Sequence, residues 1–269
     1  MIMKKHSFLF LAVALLLLAG CEREDRIVPD CTNLFFGLYS PSAQIREVGM
    51  VEAGGTTPLF ITQWLGRRLL NVSYPNPQSD FGETVVNQYH YDSHNRLADI
   101  DSNIFFTYNV EGLLSSVRIV LTDRTRTLTF QYDGGLQPVK VVDSTLYRLT
   151  TDINEWYSSS KAYLLEWRKG NLVKATPSGR DGVSYDFYYD DNHNPFCGFA
   201  LSFVLSQERL LSYPSFFSMN NVTAIASYNP DGSRHEYVSY DYEYYNTWPQ
   251  VVNRHVGDDS TQTFTIKYR

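Results

Sequence analysis

The sequence lacks the short motifs by which common catalytic sites are recognised. It contains no Gly-x-Ser-x-Gly nucleophile elbow, no His-Glu-x-x-His zinc motif and no Gly-x-Gly-x-x-Gly phosphate-binding loop. Its carboxylates and histidines are dispersed along the chain, so no acid–base pair stands out. We therefore expect no catalytic, cofactor-binding or metal-binding residues, and no cofactor.

Positive charge is also in short supply. The 269 residues include 23 Lys and Arg against 29 Asp and Glu, which gives a formal net charge of −6. An acidic chain without a basic stripe is a poor candidate for binding a polyanion, because such binding depends on Lys and Arg contacts to phosphates. We expect no nucleic-acid partner.

Cysteine is scarce, with 3 residues in the whole chain. Cys21 ends the leader segment described below. The other two, Cys31 and Cys197, are candidates for a disulfide bond, because an exported protein meets oxidising conditions. The alternative is that Cys31, close to the charged start of the mature chain, stays a free thiol.

Residues 1–20 have the pattern of a lipoprotein signal peptide. Lys4 and Lys5 give a positive start, and the apolar run 8–18 is too short to span a bilayer comfortably. Leu18-Ala19-Gly20-Cys21 resembles a bacterial lipobox, which implies cleavage before Cys21 and lipidation of that residue. Several acyl chains would then hold the protein firmly on a membrane. The alternative is an ordinary secretory signal that happens to end in cysteine.

Residues 21–34 are charged and lack periodicity, as expected of a tether. Glu22, Glu24 and Asp25 are similar to the acidic signal that sends some lipoproteins of Bacteroidota-type bacteria to the outer face of the outer membrane. We therefore expect an outward-facing outer-membrane protein whose lipid anchor makes the membrane its first partner. The periplasmic face is the alternative.

Residues 35–269 are interpreted as one domain of repeated β-hairpins. In the clearest unit, Tyr89 and Tyr91 alternate on one strand face, residues 92–95 form a turn, and Leu97 opens the return strand. A second unit at 106–117 aligns with it at a shift of 17 residues. Related units lie at 60–72, 128–141, 163–173 and 185–196, and from 222 to the C-terminus. Each hairpin is expected to hide its apolar face by lying beside its neighbours.

This pattern predicts an all-β fold, an antiparallel meander of roughly fourteen strands. Because strand twist accumulates, we expect one curved sheet or an open partial barrel rather than a flat sheet. The stretch near 199–211 lacks turn residues and is expected to form one short helix or excursion. Gly112, and by analogy Gly134 or Gly135, is expected to need a positive φ in its turn.

Two family resemblances follow from these motifs. The stretch from Tyr91 to Leu97, Tyr-Asp-Ser-His-Asn-Arg-Leu, resembles the tyrosine–aspartate repeat of RHS-type shell proteins, which implies the hairpin architecture. The lipobox, with Gly170-Asn171-Leu172-Val173, Tyr189-Asp190, Asn194-Pro195-Phe196 and Asn220-Asn221-Val222-Thr223, is similar to uncharacterised Bacteroidota-type lipoproteins classed as domains of unknown function. That second resemblance covers about residues 60 to 269 and implies no activity.

The densest polar group is Asp190-Asp191-Asn192-His193, with Cys197 close behind. Metal binding would need three or more converging ligands. A Cys197 nucleophile with His193 as its base would need a third group to orient the base. We interpret the group as an acidic turn between strands, and the scattered His90, His94, His235 and His255 as surface or strand-face residues.

These observations favour a non-catalytic binding or structural module of the cell envelope. One alternative is a carbohydrate-binding accessory lipoprotein, because 15% of the residues are aromatic and exposed rings can stack on a partner. Another is an enzyme with an unrecognised site. The expected ligand of such a module is a glycan or a protein.

Overall fold

A computed structural model describes residues 43–76, 83–148, 156–198, 218–257 and 260–269. The regular secondary structure in these ranges consists of β-strands alone. The sixteen strands are β1 (Ile45–Glu52), β2 (Gly55–Leu65), β3 (Arg68–Pro75), β4 (Thr84–Tyr91), β5 (Leu97–Ile100), β6 (Ile104–Tyr108), β7 (Leu114–Val120), β8 (Arg124–Gln131), β9 (Lys140–Arg148), β10 (Trp156–Arg168), β11 (Asn171–Pro177), β12 (Ser184–His193), β13 (Asn220–Tyr228), β14 (Arg234–Tyr245), β15 (Trp248–Val256) and β16 (Ser260–Tyr268).

The sheet closes on itself. Each strand pairs antiparallel with the next, and β16 pairs with β1, where Ile45 lies opposite Tyr268 and Met50 opposite Phe264. The prediction of an open curved sheet or partial barrel was therefore wrong, although the fold is all-β. Closure is favoured because an open meander would leave two edge strands with unpaired N–H and C=O groups.

The predicted helix or excursion at 199–211 falls outside the described residues. Within the described ranges there is no helix, so the helical part of the predicted fold is not seen there. Accordingly, no helix in this part of the chain is long and apolar enough to cross a membrane.

The two faces of the barrel wall differ in polarity. Along β4, Asn87 and Tyr89 are buried, whereas Gln88 and His90, which alternate with them, are exposed. The buried face of the strands supplies a large hydrophobic core and a smaller cluster of Leu172, Ala175 and Phe187. The largest fully buried side chains of the large core are Phe60, Ile45, Leu69, Ile100, Leu114, Leu128, Val48, Val72 and Val117. The wall therefore has the pattern of an antiparallel sheet with one face in the core and the other in water.

The outer face carries charges in rows that cross the strands. Glu166, Lys174 and Asp186 lie side by side on β10, β11 and β12. Across the closing seam, Lys267 Nζ lies 2.7 Å from Glu47 Oε1. A transmembrane barrel has the reverse arrangement, with an apolar outer band about 25 Å tall and a polar interior. The charged side chains named above thus lie on the face that a transmembrane barrel turns towards lipid.

Eight aromatic side chains tie neighbouring strands together at one end of the barrel. Each donates its ring N–H or O–H to a backbone carbonyl of the adjacent, preceding strand segment. The donor–acceptor pairs are Trp64–Ile45, Tyr91–Leu69, Tyr108–Leu97, Tyr132–Leu114, Trp167–Pro138, Tyr189–Leu172, Tyr242–Val222 and Tyr268–Pro249. We call the eight donors the aromatic collar, and the end they occupy the collar end.

The collar bonds occupy the same place in every repeat. Between β3 and β4 the regular ladder ends at Asn71 and Gln88, and beyond it the Tyr91 hydroxyl reaches the Leu69 carbonyl at 2.8 Å. In all eight cases the donor lies three residues after the last ladder pair and the acceptor two residues before it. The aromatic side chain thus adds one hydrogen bond between two hairpins beyond their last backbone pair. It also provides a donor for a carbonyl group that has no backbone partner in the regular pairing.

The collar gives a physical reason for the repeated Tyr–turn–Leu pattern. Asp92 Oδ1 accepts the backbone N–H groups of His94 and Arg96, both at 2.9 Å, and Asn109 makes the two equivalent bonds in the next repeat. Arg96 also binds Asp92 through its side chain and lies over the ring of the next collar residue, Tyr108, 4.4 Å from its centroid. The aromatic residue ties the hairpin to its neighbour, and the Asp or Asn shapes the turn.

Burial keeps the collar tyrosines protonated. It raises the pKa of Tyr91 to about 12, although the nearby Arg68 opposes the rise. Burial also raises the pKa of Tyr108, Tyr132 and Tyr268 well above the ordinary value for tyrosine. The hydroxyls therefore remain hydrogen-bond donors throughout the physiological pH range.

The turn glycine at position 112 has the predicted backbone conformation. Gly112 has φ 81° and Gly134 has φ 97°, whereas Gly135 has no positive φ. Replacing Gly112 with Val should destabilise the protein by about 1–2 kcal/mol, which lowers the melting temperature by about 2–8 °C. A Cβ atom there would meet only Arg96 Nη1, at 3.9 Å, so the loss would come from the backbone. Gly135→Val is the matched control for thermal unfolding, and equal losses in the two variants would contradict the prediction.

Candidate functional site

A pocket of about 390 Å³ lies on the inner side of the wall formed by β8 to β13. Its lining is mostly apolar and rich in aromatic rings. The lining residues are Arg126, Phe130, Pro138, Val141, Asp143, Lys161, Tyr163, Leu165, Trp167, Leu172, Ala175, Tyr185, Phe187 and Ile225. A concave, apolar pocket of this size with a few polar groups is typical of a small-molecule site.

The middle of the pocket is open because a small residue lies between larger ones. Leu165, Ala175 and Tyr185 lie side by side on β10, β11 and β12. Only a methyl group projects from the middle strand at this row. The rings of Tyr163 and Tyr185, both in the lining, have centroids 6.3 Å apart, and Phe187 stacks on Tyr185 at 6.2 Å. The rings make a large apolar surface beside the gap that Ala175 leaves.

The aromatic collar bounds one end of the pocket. Trp167 Nε1 donates to the Pro138 carbonyl at 2.7 Å, and both residues belong to the lining. The Leu172 carbonyl, from a third lining residue, accepts the hydroxyl of Tyr189. The apolar end of the pocket is thus built on two collar bonds, which fix the positions of β9 to β12.

Three charged residues lie at the other end, about 20 Å along β10 from Trp167. Arg126 Nε and Nη2 donate to the two carboxylate oxygens of Asp143 at 2.9 and 2.6 Å. Lys161 lies directly opposite Asp143 on the neighbouring strand and is exposed. It has no ion pair or hydrogen bond within the described part of the chain. Asp143 is thus paired with Arg126, and the three charged residues of the described lining sum to one positive charge.

The acidic group predicted from the sequence lies outside this pocket and makes structural contacts. β12 runs through His193, so Asp190 to His193 lie at the end of a strand rather than in a turn. Asp190 Oδ1 accepts the backbone N–H of Asn221 at 3.1 Å, and the Tyr244 hydroxyl donates to Asp190 Oδ2. His193 stacks on Trp248 with ring centroids 4.9 Å apart. These contacts hold β12, β13 and the β14–β15 turn together.

Four other histidines lie away from the pocket. His90 Nδ1 lies 2.8 Å from Asp99 Oδ1, and His255 Nε2 lies 2.8 Å from Asp241 Oδ2. His94 and His235 are exposed. Across the described ranges, no three His, Cys, Asp or Glu residues come together as a metal site.

Cys197 is 4% exposed and takes part in a disulfide bond. Cys31 and Cys21 lie outside the described residues, as do the signal peptide at 1–20 and the tether at 21–34. The Cys31–Cys197 pairing and the lipidation of Cys21 therefore stay predictions.

The pocket itself was not found from the sequence. Its lining comes from strands spread over about a hundred residues, and each strand taken alone has an ordinary alternating pattern. One signal was available. Arg126, Asp143 and Lys161 occupy inward positions on strands whose other inward residues are mostly apolar. Charged residues on the apolar face of neighbouring hairpins are a reason to expect a cavity there.

The barrel is similar to solved structures of porin-like proteins. The crystal structure of a porin-like protein from Bacteroides vulgatus matches with a TM-score of 0.50 and 11% identity, covering 85% of this chain and 99% of that one. A porin-like protein from Bacteroides uniformis matches with a TM-score of 0.46 and 13% identity, covering 86% of this chain and 99% of that one. What this chain shares with the Bacteroides vulgatus protein is the barrel fold.

At this level of identity the likeness shows the fold and nothing about activity. No protein family and no curated protein matches the sequence. The predicted Bacteroidota-type resemblance is supported in part, because the structural neighbours are Bacteroides proteins with a barrel fold. The likeness to tyrosine–aspartate repeats and to lipoproteins is not shown by them.

Proposed function

We propose that this protein is a lipid-anchored envelope protein of the outer membrane whose barrel lies in water and binds a small apolar molecule. The observation that supports binding is the apolar pocket of about 390 Å³ inside the barrel wall. Water in a cavity lined with rings and aliphatic side chains makes few hydrogen bonds with the protein. Its displacement by an apolar ligand is therefore favourable. In this proposal the predicted lipid anchor at Cys21 attaches the protein to the membrane, and the interior pocket is its binding site.

The polarity of the wall supports a barrel outside the hydrocarbon region. A charged side chain facing lipid at the bilayer midplane costs about 2–4 kcal/mol. The outer face carries Glu166, Lys174 and Asp186 on three successive strands, so exposure of this row to lipid would be costly. Attachment through acyl chains on Cys21 requires no such exposure.

The chemistry of the lining favours binding over catalysis. Among the described residues the lining contains no Ser, His or Cys, and both carboxylate oxygens of Asp143 accept hydrogen bonds from Arg126. A nucleophile–base pair needs two such groups within hydrogen-bonding distance of each other. We therefore propose a non-catalytic role and keep an enzyme as the less supported alternative.

The carbohydrate-binding alternative would use the outer face of β12 to β14. There Tyr188 lies beside Ala224 and Tyr237 lies beside Ala226, so two half-exposed rings flank a floor of small residues. Such rings can stack on a sugar. We favour the interior pocket because it surrounds its ligand with apolar groups on several sides, whereas the outer tyrosines offer an open surface.

Binding of a neutral fluorescent probe tests the proposal. N-phenyl-1-naphthylamine should bind the purified wild-type barrel, with increased fluorescence as it leaves water. Ala175→Phe should weaken binding at least about tenfold, because the new ring occupies the gap between Leu165 and Tyr185. Ala162→Phe is the matched control, since Ala162 lies on β10 with its side chain on the outer face and should leave the affinity unchanged.

Melting curves for both variants show whether the fold is kept, and Ala175→Val provides a smaller change should Ala175→Phe unfold the barrel. Absence of probe binding to the wild type would overturn the proposal. Equal affinity of the wild type and a folded Ala175→Phe variant would also overturn it.

A further inference from the structure

We infer that the pocket takes an organic anion, a molecule with a ring-sized apolar body and one carboxylate, sulfonate or phosphate group, and that Lys161 binds the anionic group. This inference deepens the proposed function and rests on it. It comes from the uneven distribution of charge along the pocket, which the apolar lining alone does not explain.

The charge at the mouth of the pocket is positive. Arg126 and Asp143 form a two-bond ion pair and cancel each other. The Lys161 ammonium, on the residue directly across from Asp143, makes no ion pair or hydrogen bond with the described residues. Asp143 is the one carboxylate in the described lining, so an incoming anion meets no unpaired negative group there. A single cation at the mouth favours a single anion on the ligand.

The order of groups along the pocket sets the orientation of the ligand. On β10 the inward positions run from Trp167 at the collar through Leu165 and Tyr163 to Lys161 at the solvent-exposed mouth. An apolar body enters among the rings, and the anionic group stays at the mouth, where it keeps part of its hydration. This arrangement avoids the large cost of burying an unpaired charge deep in an apolar site.

The positive charge is confined to the mouth of the pocket. The chain as a whole has a formal net charge of −6, so it does not attract anions generally. On the outer face of the same region Lys174 has acidic residues on both sides, Glu166 and Asp186. Lys161 differs because it faces the pocket and its one acidic cross-strand neighbour, Asp143, also pairs with Arg126. The difference makes Lys174 a matched control.

Two probes with the same ring system separate the charge from the apolar body. 8-Anilinonaphthalene-1-sulfonate carries a sulfonate, and N-phenyl-1-naphthylamine does not. Lys161→Met should weaken sulfonate-probe binding about fivefold, the upper end for an exposed ion pair, and leave neutral-probe binding within about twofold. Lys174→Met should change neither affinity, and added salt should reduce the difference between wild type and Lys161→Met.

The outcomes distinguish this inference from the proposed function. If the neutral probe fails to bind the wild type, the pocket is not a binding site and both proposals fail. If the neutral probe binds but Lys161→Met leaves the sulfonate probe unaffected, the inference is overturned and the apolar site remains. An equal effect of Lys161→Met and Lys174→Met would likewise overturn it, since general surface charge would then explain the attraction. Lys161→Gln, which is uncharged and more polar, repeats the test should Lys161→Met alter the apolar contacts.

Discussion

Replacing Cys21 with Ser should move the protein from the membrane fraction to the soluble fraction, without detergent and with the barrel still folded. The lipobox predicts Cys21 as the acceptor of the acyl chains, so the variant should lose them. The outer face carries the charged row of Glu166, Lys174 and Asp186, so under the proposed function the released barrel needs no lipid to cover it. Fatty-acid labelling, fractionation and far-UV circular dichroism in detergent-free buffer measure the three parts of this result.

The wild type is the control, and it should be labelled and sedimented with membranes. Unchanged labelling of Cys21→Ser would remove the lipoprotein assignment. An unlabelled variant that stayed in the membrane and dissolved only in detergent would show that the barrel itself enters the bilayer. That second result would overturn the proposal that the barrel lies in water.

Tyr108→Phe should destabilise the protein by about 1–3 kcal/mol, because it leaves the Leu97 carbonyl without the hydroxyl that donates to it at 2.7 Å. The substitution keeps the ring, over which Arg96 lies at 4.4 Å, so packing and the cation–π contact are preserved. Denaturant unfolding followed by circular dichroism measures the change in the free energy of unfolding.

Tyr157→Phe is the matched control, since Tyr157 is 60% exposed and is not a collar residue. Its free energy of unfolding should stay within about 0.5 kcal/mol of the wild type. A Tyr108→Phe variant as stable as Tyr157→Phe would show that the collar bonds contribute no net stability. In that case the rings alone, through packing, would account for the repeated aromatic position.

Much of the local structure could be predicted from single repeats. Tyr89 and Tyr91 do alternate on the inner face of β4, and Gly112 does have a positive φ. These features depend on contacts within a few residues, because side-chain alternation has a period of two and a tight turn selects residues that tolerate left-handed angles.

Sheet closure could not be predicted in the same way. The β1–β16 pairing joins residues more than two hundred positions apart, and nothing in a single hairpin distinguishes a meander that ends at an edge from one that closes. The acceptors of the collar hydrogen bonds could not be predicted for the same reason. Tyr108, for example, donates to Leu97 on the adjacent strand rather than to a residue of its own hairpin.

By itself, the sequence determined the all-β class, the repeated hairpin turns and the face that a strand such as β4 buries, because each depends on residues close together in the chain. It predicted roughly fourteen strands, whereas the structure has sixteen in the described ranges. The tertiary structure alone decided that the sheet closes and that the inward face leaves a pocket. It also decided that Asp143, directly across the strands from Lys161, forms its two-bond ion pair with Arg126. Those outcomes depend on which distant strands become neighbours and on the register in which they pair, and a one-residue shift in register would move every one of these side chains to the other face.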